Sequence, residues 1–201
     1  MLDYEKKYDK NTLIAGCDEA GRGSWAGPIV VACVIMKLDY KNSEINDSKK
    51  LSIKKRNDLY QEIIQNSIEH QIIIRSVEDL NNSNPKKESQ IGMELAVKNM
   101  KTKPNVVLTD FEKINIDIPQ ENIIKGDSVS FNIAAASILA KVFRDNYMIE
   151  LDKKYPQYDL KNNKGYGTKS HSKALIINGI EPKIHRRKYK PIAKFIEKIT
   201  N

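Results

Sequence analysis

The chain has 201 residues, enough for one domain with a sizeable core, and its 34 Lys+Arg against 26 Asp+Glu give a net charge of +8 and a pI near 9.3. That balance suits a polyanionic partner slightly better than its bland alternative, a lysine-rich surface that keeps the protein soluble. No apolar run reaches the length of a membrane span and the first ten residues are too charged for a signal peptide, so no membrane association and a cytoplasmic location are expected.

Leu13 to Cys17 reads as a first strand and Pro28 to Met36, rich in β-branched residues, as a second, joined through the short segment 22–27. Cys17 and Cys33 each lie in an apolar run and read as small buried hydrophobes, not as a disulfide framework. His70, His171 and His185 have no zinc-ligand spacing with them. A polar loop at 46–51 leads to Ser52, which caps a helix carrying Leu59, Ile63 and Ile64. His70 to Val77 reads as a third strand, and 81–85 as a loop or short broken helix. Glu88 to Met100 reads as an amphipathic helix that buries Ile91, Leu95 and Val97 and ends before Pro104. Strands follow at 105–110 and 121–127. Ser128 or Ser130 starts a long helix through Ala134–Ala140 to about Leu151. The segment after Tyr155 is basic and polar, and a last helix covers about 192–199. Strands interleaved with helices indicate an α/β architecture.

The chemistry concentrates at strand ends. Asp18-Glu19, Asp110 and Asp127 each close an apolar run. Ligand sites in α/β sheets gather at the carboxyl ends of strands, so three adjacent parallel strands would bring these acids together. Four carboxylates at one spot repel unless cations neutralise them, and two divalent ions roughly 3.5–4 Å apart would do so. The competing reading makes each acid an ordinary cap or turn residue, with Asp127 the natural N-cap. Glu19 alternates with Asp18, so the chain is expected to bend between them, with Gly21 and Gly23 making the bend cheap. Gly21-Arg22-Gly23 offers backbone N–H groups and one guanidinium matched to phosphate. Acids for a metal beside donors for a phosphate point to metal-assisted chemistry on a phosphodiester.

The stretches DEAGRGSWAGPIVVA (18–32), NDSKKL (46–51), KGD (125–127), AAASILAKVFRD (134–145), KGYGTKSH (164–171) and IHRRKY (184–189) closely resemble bacterial ribonuclease HII, in that family's order and over almost the whole chain. The resemblance implies an RNase H-like fold: a mixed sheet flanked by helices, with extra C-terminal helices. It implies a single catalytic domain over 1–201 whose helical C-terminal part begins near 155. It also implies an endonuclease that hydrolyses the RNA strand of RNA–DNA hybrids and incises 5′ of ribonucleotides embedded in duplex DNA. The products carry a 5′-phosphate and a 3′-hydroxyl, and the cofactor is Mg²⁺ or Mn²⁺, two ions in the active complex. The family's metal-binding and catalytic acids fall on Asp18, Glu19, Asp110 and Asp127.

Gly21, Arg22 and Gly23 resemble the loop that touches the ribose 2′-hydroxyl through the backbone. Tyr166 resembles the tyrosine that stacks on the next, deoxy, sugar; a loop tyrosine at the solvent edge is the bland alternative. Lys49, Arg186 and Arg187 are candidate phosphate contacts, against solvated charge. Arg144-Asp145 reads as a structural ion pair, Trp25 as packing, and His171 as a loop or core hydrogen-bonding residue that could orient Tyr166. Ribonuclease HIII is the nearest alternative, but Arg22 and the short N-terminal lead favour HII. Two departures stand out: Ser24-Trp25 where Pro-Leu is common, and Phe111 after Asp110 where glycine or alanine is usual. A related junction-resolving nuclease and a non-enzymatic RNA-binding module remain as competing functions, and clustered acids argue against the module. A monomer is expected, and a sliding-clamp contact stays open, though the sequence does not support it.

Overall fold

The computed structural model describes residues 2–46, 48 and 51–200, the last two by backbone alone. Five strands form one mixed sheet in the order β3-β2-β1-β4-β5: β1 (Ile14–Ala20), β2 (Ile29–Met36), β3 (Ser67–Arg75), β4 (Val106–Asp110) and β5 (Gln120–Ile123). β1, β2 and β3 pair antiparallel, while β4 runs parallel to β1 and β5 parallel to β4. All eight residues of β2 are buried, the unbroken apolar run of a strand covered on both faces.

Helix α1 (Ile53–Asn66) begins at its Ser52 cap as expected. A short α2 (Val77–Asn82) follows, closed by a capping box from Ser76 and Asp79. Helix α3 (Pro85–Asn99) covers one face of the sheet, packing Met93, Ala96 and Val97 against Ala15, Cys17, Val31 and Cys33. The long α4 (Phe131–Lys154) covers the other, with Ala134, Ala135, Ala136 and Ala140 against Val30, Ala32 and Val34. Its close approach requires Gly16, where a Cβ would lie 2.1 Å from the Asn132 carbonyl carbon. α5 (Leu160–Asn163), α6 (Lys169–Asn178) and α7 (Lys190–Thr200) gather around the far half of α4 in a separate cluster with Met148, Tyr158, Leu175 and Ile184. The mixed α/β sheet flanked by helices is the expected fold.

Several local expectations change. Cys17 and Cys33 are directly opposed on β1 and β2 and form a disulfide. Burial was read correctly from the sequence, but register, which decides their pairing, was not visible there. Ile91 and Leu95 are only half-buried. The buried stripe of α3 runs instead through Ser89, Gly92 and Ala96, where small size lets the helix settle onto Val31. α6 is one of the C-terminal helices that the resemblance implies, although its own residues do not announce it, because Lys169-Ser-His-Ser-Lys173 reads as polar loop; Thr168 caps it by accepting from the His171 N–H.

Candidate active site

β1 does not end at Cys17. Its register with β2 continues through Asp18↔Ala32 and Glu19↔Val31 to Ala20, so the expected bend between the two acids is absent. The turn comes afterwards, at Gly21 with φ 93°. Asp18 and Glu19 therefore alternate across the sheet, Asp18 towards α4, where the Ser137 hydroxyl reaches it, and Glu19 towards the opposite face. Pairing of β1 with β4 stops at Cys17↔Thr109. Asp18 and Asp110 are the next residue on each strand, at the point where the two strands part.

Asp18 is 5% exposed. Burial, and then the charges of Glu19 and Asp110, push its carboxyl well above the usual carboxylate range, opposed by the Glu19 N–H at 2.7 Å and by Ser137. Asp110 accepts a 2.8 Å bond from the Gly126 N–H. Strand β5 stops at Ile123, four residues short of expectation, because Lys125 turns left-handed (φ 56°) into a 3-10 turn, Gly126–Ser128. That turn carries the buried Asp127, the residue after the Gly126 N–H that bonds Asp110. Ser130 caps α4, so Asp127 is not the helix cap.

Among the described residues no group of three or more His, Cys, Asp or Glu side chains is arranged to hold a metal ion as it stands. The donor chemistry nevertheless fits hard divalent cations: all carboxylate oxygen, partly buried and mutually repelling at Asp18, Glu19 and Asp110.

Arg22 departs from its expected role. Its Nε lies 3.1 Å from Glu19 and its Nη1 3.0 Å from Glu112, so the guanidinium is an internal counter-ion and not a free phosphate clamp. Glu112 is 2% exposed and was missed in the sequence. It follows Phe111, whose φ of 68° forms a tight turn closed by the Thr109 hydroxyl and the Asn122 amide, both donating to the Glu112 carbonyl. The left-handed conformation explains why glycine suits the position after Asp110.

Arg186 is corrected as well. It is buried and donates to the carbonyls of Arg22, Gly27 and Pro28 at 2.9–3.0 Å, out of reach of a phosphate. Burial lowers its pKa to about 9. Arg144 lies beside it and donates to Pro28, Ala26 and Lys164 carbonyls and to the Ser24 hydroxyl. The expected Arg144–Asp145 pair is not formed, since Asp145 pairs with Lys141 at 2.7 Å. Ser24 thus completes a buried guanidinium's bonds, which proline there could not do. Arg187 is exposed, as a phosphate contact must be, and Lys49 lies outside the described residues.

The Tyr166 loop is pinned on three sides. The Gly165 carbonyl accepts from Trp25 and Ala26 N–H, and Gly167 lies against the Trp25 indole, where a Cβ would come within 2.2 Å. The Tyr166 ring sits over the Arg144 guanidinium at 5.4 Å and near Lys141. Trp25 is packing, as expected, and the packing joins the Gly21–Gly23 loop to the tyrosine loop.

The sequence model for ribonuclease HII matches residues 15–192. The chain belongs to the ribonuclease HII family. It is 50% identical over 187 residues to the ribonuclease HII of Mycoplasma mycoides subsp. mycoides SC, covering 91% of this chain and 89% of that protein. Ribonuclease H2 from Pyrococcus horikoshii superposes with a TM-score of 0.80 at 21% identity, over 94% of this chain and 99% of that one. The Mn²⁺ complex of Bst-RNase HIII superposes with a TM-score of 0.69 at 17% identity, over 92% and 70% respectively. At those identities the structures establish the fold alone. Membership of the family makes the chain a hydrolase, an endoribonuclease acting on the RNA of RNA–DNA hybrids.

Proposed function

We propose that this endoribonuclease also incises on the 5′ side of single ribonucleotides embedded in duplex DNA, leaving a 5′-phosphate and a 3′-hydroxyl, and that it depends on Mg²⁺ or Mn²⁺. The observation that carries the reading is the parting of β1 and β4. There the buried Asp18 is raised in pKa by burial, Glu19 and Asp110, directly before the Gly21–Gly23 loop. Asp18, Glu19, Asp110 and Asp127 would hold the metal. Held there, a pair of divalent ions would supply an activated water and stabilise the leaving oxygen. The Mn²⁺ complex of the HIII homologue supports this choice by likeness of fold.

The chain's own residues bind and select. Gly21 has no room for a side chain, since a Cβ would lie 2.0 Å from Arg144 Nε, whereas Gly23 is open, with only the Tyr189 hydroxyl at 3.9 Å. The Gly21 carbonyl accepts from Ser24 and the Arg22 carbonyl from Arg186, so the loop's acceptors are engaged within the protein. The exposed backbone at Gly23 is the part of the loop that reads the 2′-hydroxyl closely, the group that separates RNA from DNA. The Tyr166 ring stacks on the deoxyribose that follows. Two buried guanidinium groups beneath the loop, Arg144 and Arg186, add positive potential where a phosphate approaches, and the exposed Arg187 contacts a phosphate further out. Residues 1–201 act as one catalytic unit, the C-terminal helices carrying Tyr166 to the acids.

The test is a DNA duplex with one embedded ribonucleotide, incubated with Mg²⁺, with Mn²⁺ and with a chelator. Metal-dependent incision 5′ of the ribonucleotide is expected. Cleavage of continuous hybrid alone would leave only the general ribonuclease H activity standing.

A further inference from the structure

Behind Tyr166 lie two histidines with no part in the site described above. His171 and His185 are both 0% exposed. Their Nε2 atoms are 3.1 Å apart, His171 Nδ1 is 3.0 Å from the Tyr166 carbonyl, and His185 Nδ1 is 2.9 Å from the Glu181 backbone nitrogen. A carbonyl only accepts, so His171 Nδ1 carries the hydrogen. In a neutral ring its Nε2 must then accept, which requires His185 to donate from Nε2. His185 Nδ1 is left as an acceptor, which suits the Glu181 N–H. The Glu181 carbonyl, 3.0 Å from the same ring nitrogen, already accepts from the His185 N–H at 2.9 Å. One tautomer pair alone satisfies every donor and acceptor. The chain of bonds runs one way: Glu181 N–H to His185, His185 to His171, His171 to the Tyr166 carbonyl.

Burial lowers the pKa of both rings, that of His185 to about 4, so the pair is neutral at ordinary pH. The surroundings hold it rigidly. Tyr158 packs edge-on against His185 at 4.8 Å and Trp25 lies against His171 at 5.6 Å. His185 pairs with Ala26, and Arg186 N–H donates to the Trp25 carbonyl, so the same pair ties the segment after Gly21–Gly23 to the tyrosine loop.

We propose that His171 and His185 form a positioning pair which fixes the Tyr166 backbone relative to the Gly21–Gly23 loop, and so sets the discrimination between a ribose and a deoxyribose on the 3′ side of the cleaved bond. This rests on the reading of Tyr166 given under Proposed function. Two loops that each read one sugar discriminate only if their separation is fixed. The directional chain supplies that constraint from the buried side, where no substrate atom reaches.

Two variants of similar size separate positioning from simple packing. Asn places an amide nitrogen near imidazole Nδ1, so His171→Asn keeps the bond to the Tyr166 carbonyl. Gln places its amide near Nε2, so His171→Gln loses that bond while still facing His185. The readout is kcat/KM on a single embedded ribonucleotide divided by that on continuous hybrid, with Tyr166→Ala measured alongside. His171→Gln should lower this ratio by roughly two- to tenfold, the range for one hydrogen bond, and His171→Asn should restore most of it. Loss of stability without repositioning would lower both substrates together and leave the ratio unchanged. An unchanged ratio in His171→Gln, with Tyr166→Ala shifting it, would overturn the positioning role. An unchanged ratio in Tyr166→Ala would instead overturn the reading of Tyr166, and this inference with it. Should either His171 variant fail to fold, imidazole ¹⁵N spectra of the unmodified protein decide: Nδ1–H on His171 and Nε2–H on His185 are expected, and any other tautomer pair contradicts the chain.

Discussion

At the residue scale, function and stability pull in opposite directions at Asp18. A carboxylate that is buried beside Glu19 and Asp110 weakens the fold in the ionised form. Asp18→Asn should therefore leave Tm unchanged or raise it; a marked fall in Tm would show that Asp18 is structural. Phe111 is a second misfit. It is 56% exposed at φ 68°, so its side chain contributes little burial while its backbone is strained. Phe111→Gly should stabilise by about 1 kcal/mol, the lower end of the left-handed penalty for a non-glycine residue, and thermal melts will show it. The residues at issue here were legible to different degrees. Asp18, Glu19 and Asp110 stood out because acids that close apolar runs are chemically odd. Glu112 did not, because an acid in a polar loop looks ordinary until the turn at Phe111 buries it. Arg186 was misread for the converse reason: arginine in a basic run suggests solvent, and only the fold reveals the carbonyls of Gly27 and Pro28 that hold it inside.

At the element scale, the account turns on how β1 sits between α4 and β4. Gly16 lets the backbone of α4 lie directly on β1, and this contact helps bring Ser137 to Asp18. Gly16→Ala should cost about 3 kcal/mol, the upper range for overpacking a close-packed contact, measured by denaturant unfolding; a cost below 1 kcal/mol would mean that α4 slides freely over the strand. The order and type of the long elements were readable because β2 is a short unbroken β-branched run, whereas α4 is a long alanine-rich stretch opened by a serine cap. The ends were not. The sequence offers no local signal that β1 continues past Cys17, because the partner that extends it is the Ala32–Val30 stretch of β2. Likewise, the Cys17–Cys33 disulfide depends on register alone, and α6 depends on packing of Ala174 and Leu175 against the C-terminal cluster.

At the scale of the whole molecule, charge and burial set the response to salt and pH. A chain of net charge +8 that docks on phosphates releases counterions, so hybrid affinity should fall at least roughly tenfold between 50 and 200 mM salt. A flat response would remove the basic surface from the docking face. Stability should fall with acid in a definite window. His185 is held neutral by burial, with a pKa of about 4 folded against 6.5 in the unfolded chain. Between those values the unfolded chain binds a proton that the folded chain refuses, so stability rises with pH. The contribution of about 3 kcal/mol is complete above pH 6.5 and lost as pH falls towards 4. Asp18 acts in the opposite sense, since protonation relieves its burial. The clean comparison is therefore the difference in Tm against pH between the unmodified protein and His185→Phe, whose acid loss should be smaller; identical slopes would show that His185 is not buried neutral.

The central claim is that the acids where β1 and β4 part carry the hydrolysis. Single-turnover cleavage of the embedded-ribonucleotide duplex by Asp18→Asn, with binding of the same duplex measured in parallel, tests it most directly. Cleavage lost with binding and Tm retained is the expected result; near-normal cleavage would contradict the assignment.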